Sequence, residues 1–382
     1  MRRRTFLLAA AGLGAMAAGG AFWASRGRAA PLGFEPDPDA LVRAGALIEA
    51  NPIVDIHAHP GRTFVRQARG LSPALRLYAA SGSFEERAFA DLRAGGVSAA
   101  SFAAVADVQV LDFAEGGLVA GREFQPGEAW ESYQRQIANL RRQAHAAGAP
   151  LALAADDIVA AHHARNVAVF LTVEGGDFLA GDLRRLEQAF ADGVRSITLM
   201  HYRPNDIGDI QTASPANDGL TDFGADAIRE MSRLGIIVDL AHASERTAAQ
   251  ALEVASHPVL CSHTHVHPPN GPGAHPRFIS SELARDIVSA GGVIGAWPAG
   301  IGLTSLSDFI DRIFSLTDIV GPDHVALGTD MDANFRPVLT SYTQIPLLVS
   351  ELLRRGYGEE NSVRLLGGNF LRVFRAVERA RA

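Results

Sequence analysis

A parallel (β/α)8 barrel of the TIM type is the fold this sequence predicts, and three observations predict it. Apolar, strand-like runs alternate along the chain with stretches of helical spacing, the pattern of a parallel sheet with helical crossovers. The runs lie at about 52–58, 97–105, 167–173, 194–200, 236–241, 258–262, 293–297 and 324–329. Most of them stop at a residue able to bind a metal, and a parallel barrel gathers the C-terminal ends of its strands around one mouth. A length of 382 residues suits one such barrel with insertions, once an N-terminal signal is set aside.

The chain opens on Arg2-Arg3-Arg4-Thr5-Phe6-Leu7-Leu8, followed by an Ala/Gly-rich stretch through Trp23. This resembles a twin-arginine export signal with Arg3 and Arg4 as the pair, which predicts a periplasmic protein. An ordinary secretory signal or an uncleaved membrane anchor are the alternatives, since no small-residue cleavage site stands out before Pro31. The expected organisation is a signal and linker start at 1–30 and a single metallohydrolase domain at 31–382. Beyond the signal no apolar run is long enough to span a bilayer.

Between the strands, Leu183, Leu186 and Phe190, then Ile228 and Met231, Leu283 and Ile287, and Phe309 and Ile313 recur at helical spacing. Phe370, Val373, Phe374 and Val377 form the apolar stripe of a closing C-terminal helix. Two stretches exceed a simple crossover. Residues 60–96 carry Arg62, Phe64, Arg66 and Arg69, and residues 107–150 contain a helical run with Trp130, Tyr133, Ile137 and Leu140 at core spacing. Both follow strands and so face the mouth, where they can shape a pocket. Of the arginines, only Arg62 is expected to leave the solvated surface.

Hydrophobic residues make up 47% of the chain and charged ones 20%, which describes a large packed core and excludes a disordered or coiled-coil chain. A net charge of -7, with no basic stripe, argues against a nucleic-acid partner. Cys261 is the single cysteine, so there is no internal disulfide and no Cys-rich zinc site; its apolar strand predicts a buried core residue.

The chemistry gathers at the strand ends. His57 and His59 stand two apart after the first strand, so both leave the same face and can bind one metal. Glu174, before Gly175-Gly176, can give one oxygen to each of two metals. His242 and His263 follow strands and would hold the second metal. His201 also ends a strand, and Asp330 closes the last one, placed to shuttle a proton between an attacking water and a leaving amine. Imidazoles and carboxylates in this array suit a two-metal hydrolase. Asp239 is a charge inside a strand, explained by a hydrogen bond behind the ligands or by an ion pair to a helix. His265 and His267 fall in a Pro-rich stretch just after His263; reach to the mouth is one reading, and a surface loop is the preferred one. His162 and His163 precede a strand, at the wrong barrel end. His145, His257, His275 and His324 read as structural or solvated.

These segments together resemble the membrane (renal-type) dipeptidase family of zinc metallopeptidases. The likeness rests on Val54-Asp55-Ile56-His57, Thr172-Val173-Glu174-Gly175-Gly176, Leu199-Met200-His201, Val238-Asp239-Leu240-Ala241-His242 and Ser262-His263. Leu327-Gly328-Thr329-Asp330-Met331-Asp332 and Gly367-Gly368-Asn369-Phe370 through Phe374 continue it in order over nearly the whole mature chain. The resemblance implies two zinc ions and hydrolysis of dipeptides, including those with a C-terminal D-residue. It implies that His57 and position 59 bind one ion, that Glu174 bridges, and that His242 and His263 bind the other. His201 would touch the substrate carbonyl and stabilise the oxyanion, and Arg277 would grip the substrate carboxylate. It also implies a possible homodimer. The chain departs from the family at His59, where an aspartate is usual, and in the loop Thr264-His265-Val266-His267-Pro268-Pro269, where the family has small residues. A related barrel metallohydrolase acting on another amide or ester is the alternative reading. A non-catalytic metal- or peptide-binding protein is the remote one.

Overall fold

The computed structural model describes residues 30–114, 117–267 and 275–381. The export signal expected at the N-terminus lies outside them. All eight expected barrel strands form, among eleven in the described residues: β1 (Val54–Asp55), β2 (Ala99–Val105), β3 (Leu111–Ala114), β4 (Gly117–Ala120), β5 (Ala168–Glu174), β6 (Val194–Thr198), β7 (Ile237–Asp239), β8 (Leu260–Val266), β9 (Phe278–Ile279), β10 (Val293–Ala296) and β11 (Val325–Leu327). The ring runs β1-β2-β5-β6-β7-β8-β10-β11 and closes where β1 pairs with β11, Asp55 opposite Leu327. Every pairing in the ring is parallel.

The crossover helices begin where short polar side chains can cap them. Thr221, Ser244, Ser280 and Ser305 each accept a backbone N–H three residues on, which satisfies a donor the first helical turn leaves open. Their apolar stripes pack outside the barrel: Ile228 and Met231, Leu283 and Ile287, Phe309 and Ile313 are all buried. At the opposite end from the mouth, helix Asn369–Arg379 plugs the barrel. Phe370 and Phe374 meet Phe170 of β5 with ring centroids 5.1 and 5.4 Å away, and Asn369 donates to the Val325 carbonyl at the start of β11.

Parts of both expected insertions pack over the C-terminal end of β2, where Phe64, Leu75 and Tyr78 meet Val105, Val108 and Leu111. The first holds helices Pro73–Ala80 and Glu85–Ala94. Arg62 is buried there, its guanidinium 4.7 Å from the Tyr78 ring and 5.1 Å from Phe84. The second holds the β3–β4 hairpin, which no sequence pattern separates, and helix Glu128–Ala146, which buries Tyr133, Ile137 and Leu140 as expected. Among the described residues no helix is long and apolar enough to cross a membrane.

Candidate metal centre

The strand ends deliver their side chains around the Glu174 carboxylate. His57 Nε2 and His242 Nε2 lie 3.3 and 3.0 Å from Oε1, with His263 Nε2 at 3.6 Å. On the other oxygen, His59 Nε2 and His201 Nε2 lie 3.3 and 3.4 Å from Oε2. Asp330 Oδ1 stands 3.4 Å from His59 Nε2. Three groupings have donor atoms close enough to share an ion: His57, His59 and Asp330; His57, Glu174 and His263; and Glu174, His201 and His242. All five histidines and Glu174 are buried, and Asp330 is nearly so.

Hydrogen bonds behind the rings settle which nitrogens face inward. Ser262 Oγ donates to Asp239 at 2.6 Å, so at His263 it can only accept from Nδ1–H, 3.0 Å away. The His59 Nδ1 faces the Ala103 carbonyl, which also only accepts, at 3.3 Å. Both rings therefore turn an Nε2 lone pair toward the centre, the arrangement of metal-ligating histidines. Burial, with nearby Arg277 and other imidazoles, holds His242 and His263 well below the ordinary imidazole pKa, so neither carries a proton that would repel a cation. His57 Nε2 is buried with no well-aligned hydrogen-bond partner among the described residues. The donor set fits a metal.

His201 differs. Its Nδ1 donates to Asp107 Oδ1 at 2.7 Å, while Asp107 Oδ2 accepts the Tyr202 N–H at 3.0 Å. Burial disfavours its charge, but Asp107 and Glu174 outweigh burial and raise its pKa to about 9. A protonated His201 presents Nε2–H as a donor at the centre. Glu174 is held well below the usual carboxylate range because charge on His201 and His57 outweighs its burial. Asp330 goes the other way, pushed up to about 6 by burial and by Glu174 against the pull of His59.

Local backbone aims these groups. Gly175 sits at φ 102°, a conformation closed to most side chains, and lets β5 turn sharply after Glu174. His242 and Asp330 adopt φ 68° and 53°, left-handed values unusual for non-glycine residues and frequent at functional sites. Beneath them, Asp55 and Asp239 tie strand ends together. Asp55 accepts from the backbone of His57 and Thr329 at 3.3 and 3.0 Å, and Asp239 from Ala241 and Ser262 at 3.1 and 2.9 Å. Of the two explanations open for Asp239, the hydrogen bond behind the ligands is the one found.

The sequence signature of the membrane dipeptidase family, peptidase family M19, matches residues 41–382. The chain belongs to that family. Among its relatives, the dipeptidase tcpJ of Claviceps purpurea (strain 20.1) is 30% identical over 233 residues, covering 59% of this chain and 54% of the relative. The chain thus aligns with about half the length of that relative. Among solved structures, the probable dipeptidase PvdM from Pseudomonas aeruginosa superposes with a TM-score of 0.73 at 19% identity, over 90% of this chain and 100% of the other. A metallo peptidase from Rhodobacter sphaeroides, bound to a phosphinate mimic of L-Ala-D-Ala, gives 0.70 at 19% identity over 86% and 99%. Likeness at this identity shows a shared barrel fold.

Every site residue read from the sequence is buried or nearly so. Arg277 is 3% exposed and lies beside Trp297, with its guanidinium 5.2 Å from the ring. One expectation is overturned. His265 is not in a surface loop: β8 continues through Val266, pairs with β9 at His265–Phe278, and leaves His265 3% exposed against Phe278 and Trp297. The prolines that suggest a loop begin only after the strand has ended. Sequence reasoning misses Asp107 and Trp297. Trp297 ends an expected strand run, as the ligand histidines do, and that signal could have found it; Asp107 sits in a turn with no pattern to mark it.

Proposed function

We propose that this M19 chain is an exported metallodipeptidase that holds two zinc ions. The observation that carries the proposal is the ring of inward-facing imidazole nitrogens around one buried carboxylate. His57, His59 and Glu174 would hold one ion, and Glu174, His242 and His263 the other. When bound, the ions supply Lewis acidity to the scissile carbonyl and lower the pKa of an attacking water. Asp330, beside His59, takes the proton of that water and returns it to the leaving amine. His201, kept charged by Asp107, donates Nε2–H to the carbonyl oxygen as negative charge develops there. Arg277 takes the substrate's C-terminal carboxylate through Nε and Nη2, the two nitrogens on one edge of the guanidinium.

His59, in place of the family's usual aspartate, removes one negative charge from the ligand set and favours a lower pKa for the water. The test is metal analysis of the purified mature chain with a screen of L-L and L-D dipeptides. The L-D arm is chosen because the Rhodobacter sphaeroides protein was solved with an L-Ala-D-Ala mimic. About two zinc per chain with dipeptide cleavage is expected. Zinc with cleavage only of another amide or ester would favour the alternative hydrolase. Export is checked separately: Arg3→Lys with Arg4→Lys should strand the precursor in the cytoplasm, and normal export of that variant would point to the general secretory route.

A further inference from the structure

Beside the metal centre, three side chains on one wall hold polar nitrogens that no described residue satisfies. They are Arg277 Nε and Nη2, Trp297 Nε1 and His265 Nε2. The residues are 3%, 4% and 3% exposed, so bulk water does not serve them. They are contiguous. The Trp297 ring lies 5.7 Å from both His263 and His265, and the Arg277 guanidinium lies 5.2 Å from Trp297. Buried polar atoms are ordinarily satisfied, and a set of open ones beside a reaction centre marks a place for a ligand's polar groups.

The wall is positive, and among the described residues Arg277 has no carboxylate partner: it spends Nη1 on the neutral Gln211 amide, 2.9 Å away. Arg312 stands 5.5 Å from the Phe278 ring that also packs on His265, and its two terminal nitrogens bond the Ile301 carbonyl. Residues 268–274, between β8 and Arg277, contain no acid. A single substrate carboxylate on Nε and Nη2 of Arg277 satisfies one of the three side chains. The indole N–H and the imidazole Nε2 then remain without a partner among the described residues.

We propose that Trp297 and His265 determine specificity by taking a second acceptor on the substrate's C-terminal residue, an anionic side chain of the aspartate or glutamate type. This rests on the dipeptide reading, with Arg277 on the main-chain carboxylate. A hydrogen bond to a charged group is stronger than one to a neutral group, so charge should be preferred over an amide of the same shape.

The test uses the zinc-loaded full chain. Turnover is measured on Ala-Glu, Ala-Gln and Ala-Ala, with the second residue in L and D forms. Calorimetry follows free glutamate and free alanine, which the enzyme cannot hydrolyse. Ala-Glu should exceed Ala-Ala in kcat/KM by about 10-fold or more, with Ala-Gln between, and glutamate should bind tighter than alanine by a similar factor. Trp297→Phe, which removes the N–H and keeps an aromatic ring, and His265→Phe should each bring the Ala-Glu to Ala-Ala ratio toward one. Glutamate binding no tighter than alanine overturns the pocket, whether or not dipeptides are cleaved. Glutamate preference without cleavage of any dipeptide sinks the dipeptidase reading and supports the pocket. Equal use of Ala-Gln and Ala-Glu overturns the anionic class, and a ratio unmoved by either substitution overturns the two residues.

Discussion

Asp330 and Asp107 are two carboxylates at one mouth in different surroundings. Asp330 is pushed up to about 6 by burial beside Glu174, which makes it able to accept and return a proton near neutral pH. Asp330→Asn should therefore lower kcat by ~10²–10⁴, with zinc content by metal analysis little changed. Loss of both metals in that variant would make it a ligand instead. Asp107 stands behind the His201 ring, on the nitrogen that faces away from the centre, and fixes both its orientation and its charge. Asp107→Asn should cost about 10–100-fold in kcat, the usual range for a partner behind a functional histidine, with a smaller change in KM. A variant as active as the parent would show that His201 needs no orienting partner.

At the scale of strands, the same register that builds the barrel also builds the site. Glycines leave room for the Ser262 carbonyl of β8: a Cβ added at Gly295 of β10, or at Gly328 just past β11, would stand 1.7 or 1.8 Å from that oxygen. That oxygen belongs to the residue before His263. Gly295→Ala or Gly328→Ala should destabilise the fold by about 3 kcal/mol or more and weaken zinc binding together, seen as a lower Tm and lower metal content. An unchanged Tm would mean that β8 moves aside freely. Elements of this kind are legible in the sequence because a buried parallel strand is an apolar run, and a polar residue ending it is conspicuous. His57, Glu174, His242, His263 and Asp330 are readable for that reason. Asp107 is not, because a turn carries no periodicity. His265 misleads because the strand outlasts its apolar run, with His263 and His265 facing the mouth from the same side of the extended chain. The β3–β4 hairpin escapes because each of its strands is only four residues long.

For the molecule as a whole, buried acids with raised pKa values tie stability to pH, and Asp177 is one of them. Asp177 follows the Glu174 turn, and burial together with Asp107 raises it to about 7 despite its bonds to Arg203 and Asn205. Its folded pKa lies above the unfolded one, so the folded state holds the extra proton more tightly. That contribution is complete below the unfolded pKa of about 4 and is lost as pH rises through about 7. Thermal melts should show the parent losing stability as pH climbs from about 4 to about 7, and Asp177→Asn should flatten that fall. An identical slope in both would assign the pH dependence to other groups.

The seam of the ring joins Asp55 to Leu327 and continues past the strands, where Asp330 donates its backbone N–H to the His57 carbonyl at 2.7 Å. One side of the centre, where His57 and His59 meet Asp330, therefore joins segments more than half the chain apart. A chain still being synthesised can hold Glu174, His201, His242 and His263 in order, yet His59 has no Asp330 to face until the last strand is made. Joining segments so distant in sequence is entropically slow, since the loop must close before any contact rewards it. Closing the seam between His57 and Asp330 therefore carries a large loop-closure cost, and the meeting of His59 with Asp330 depends on that closure.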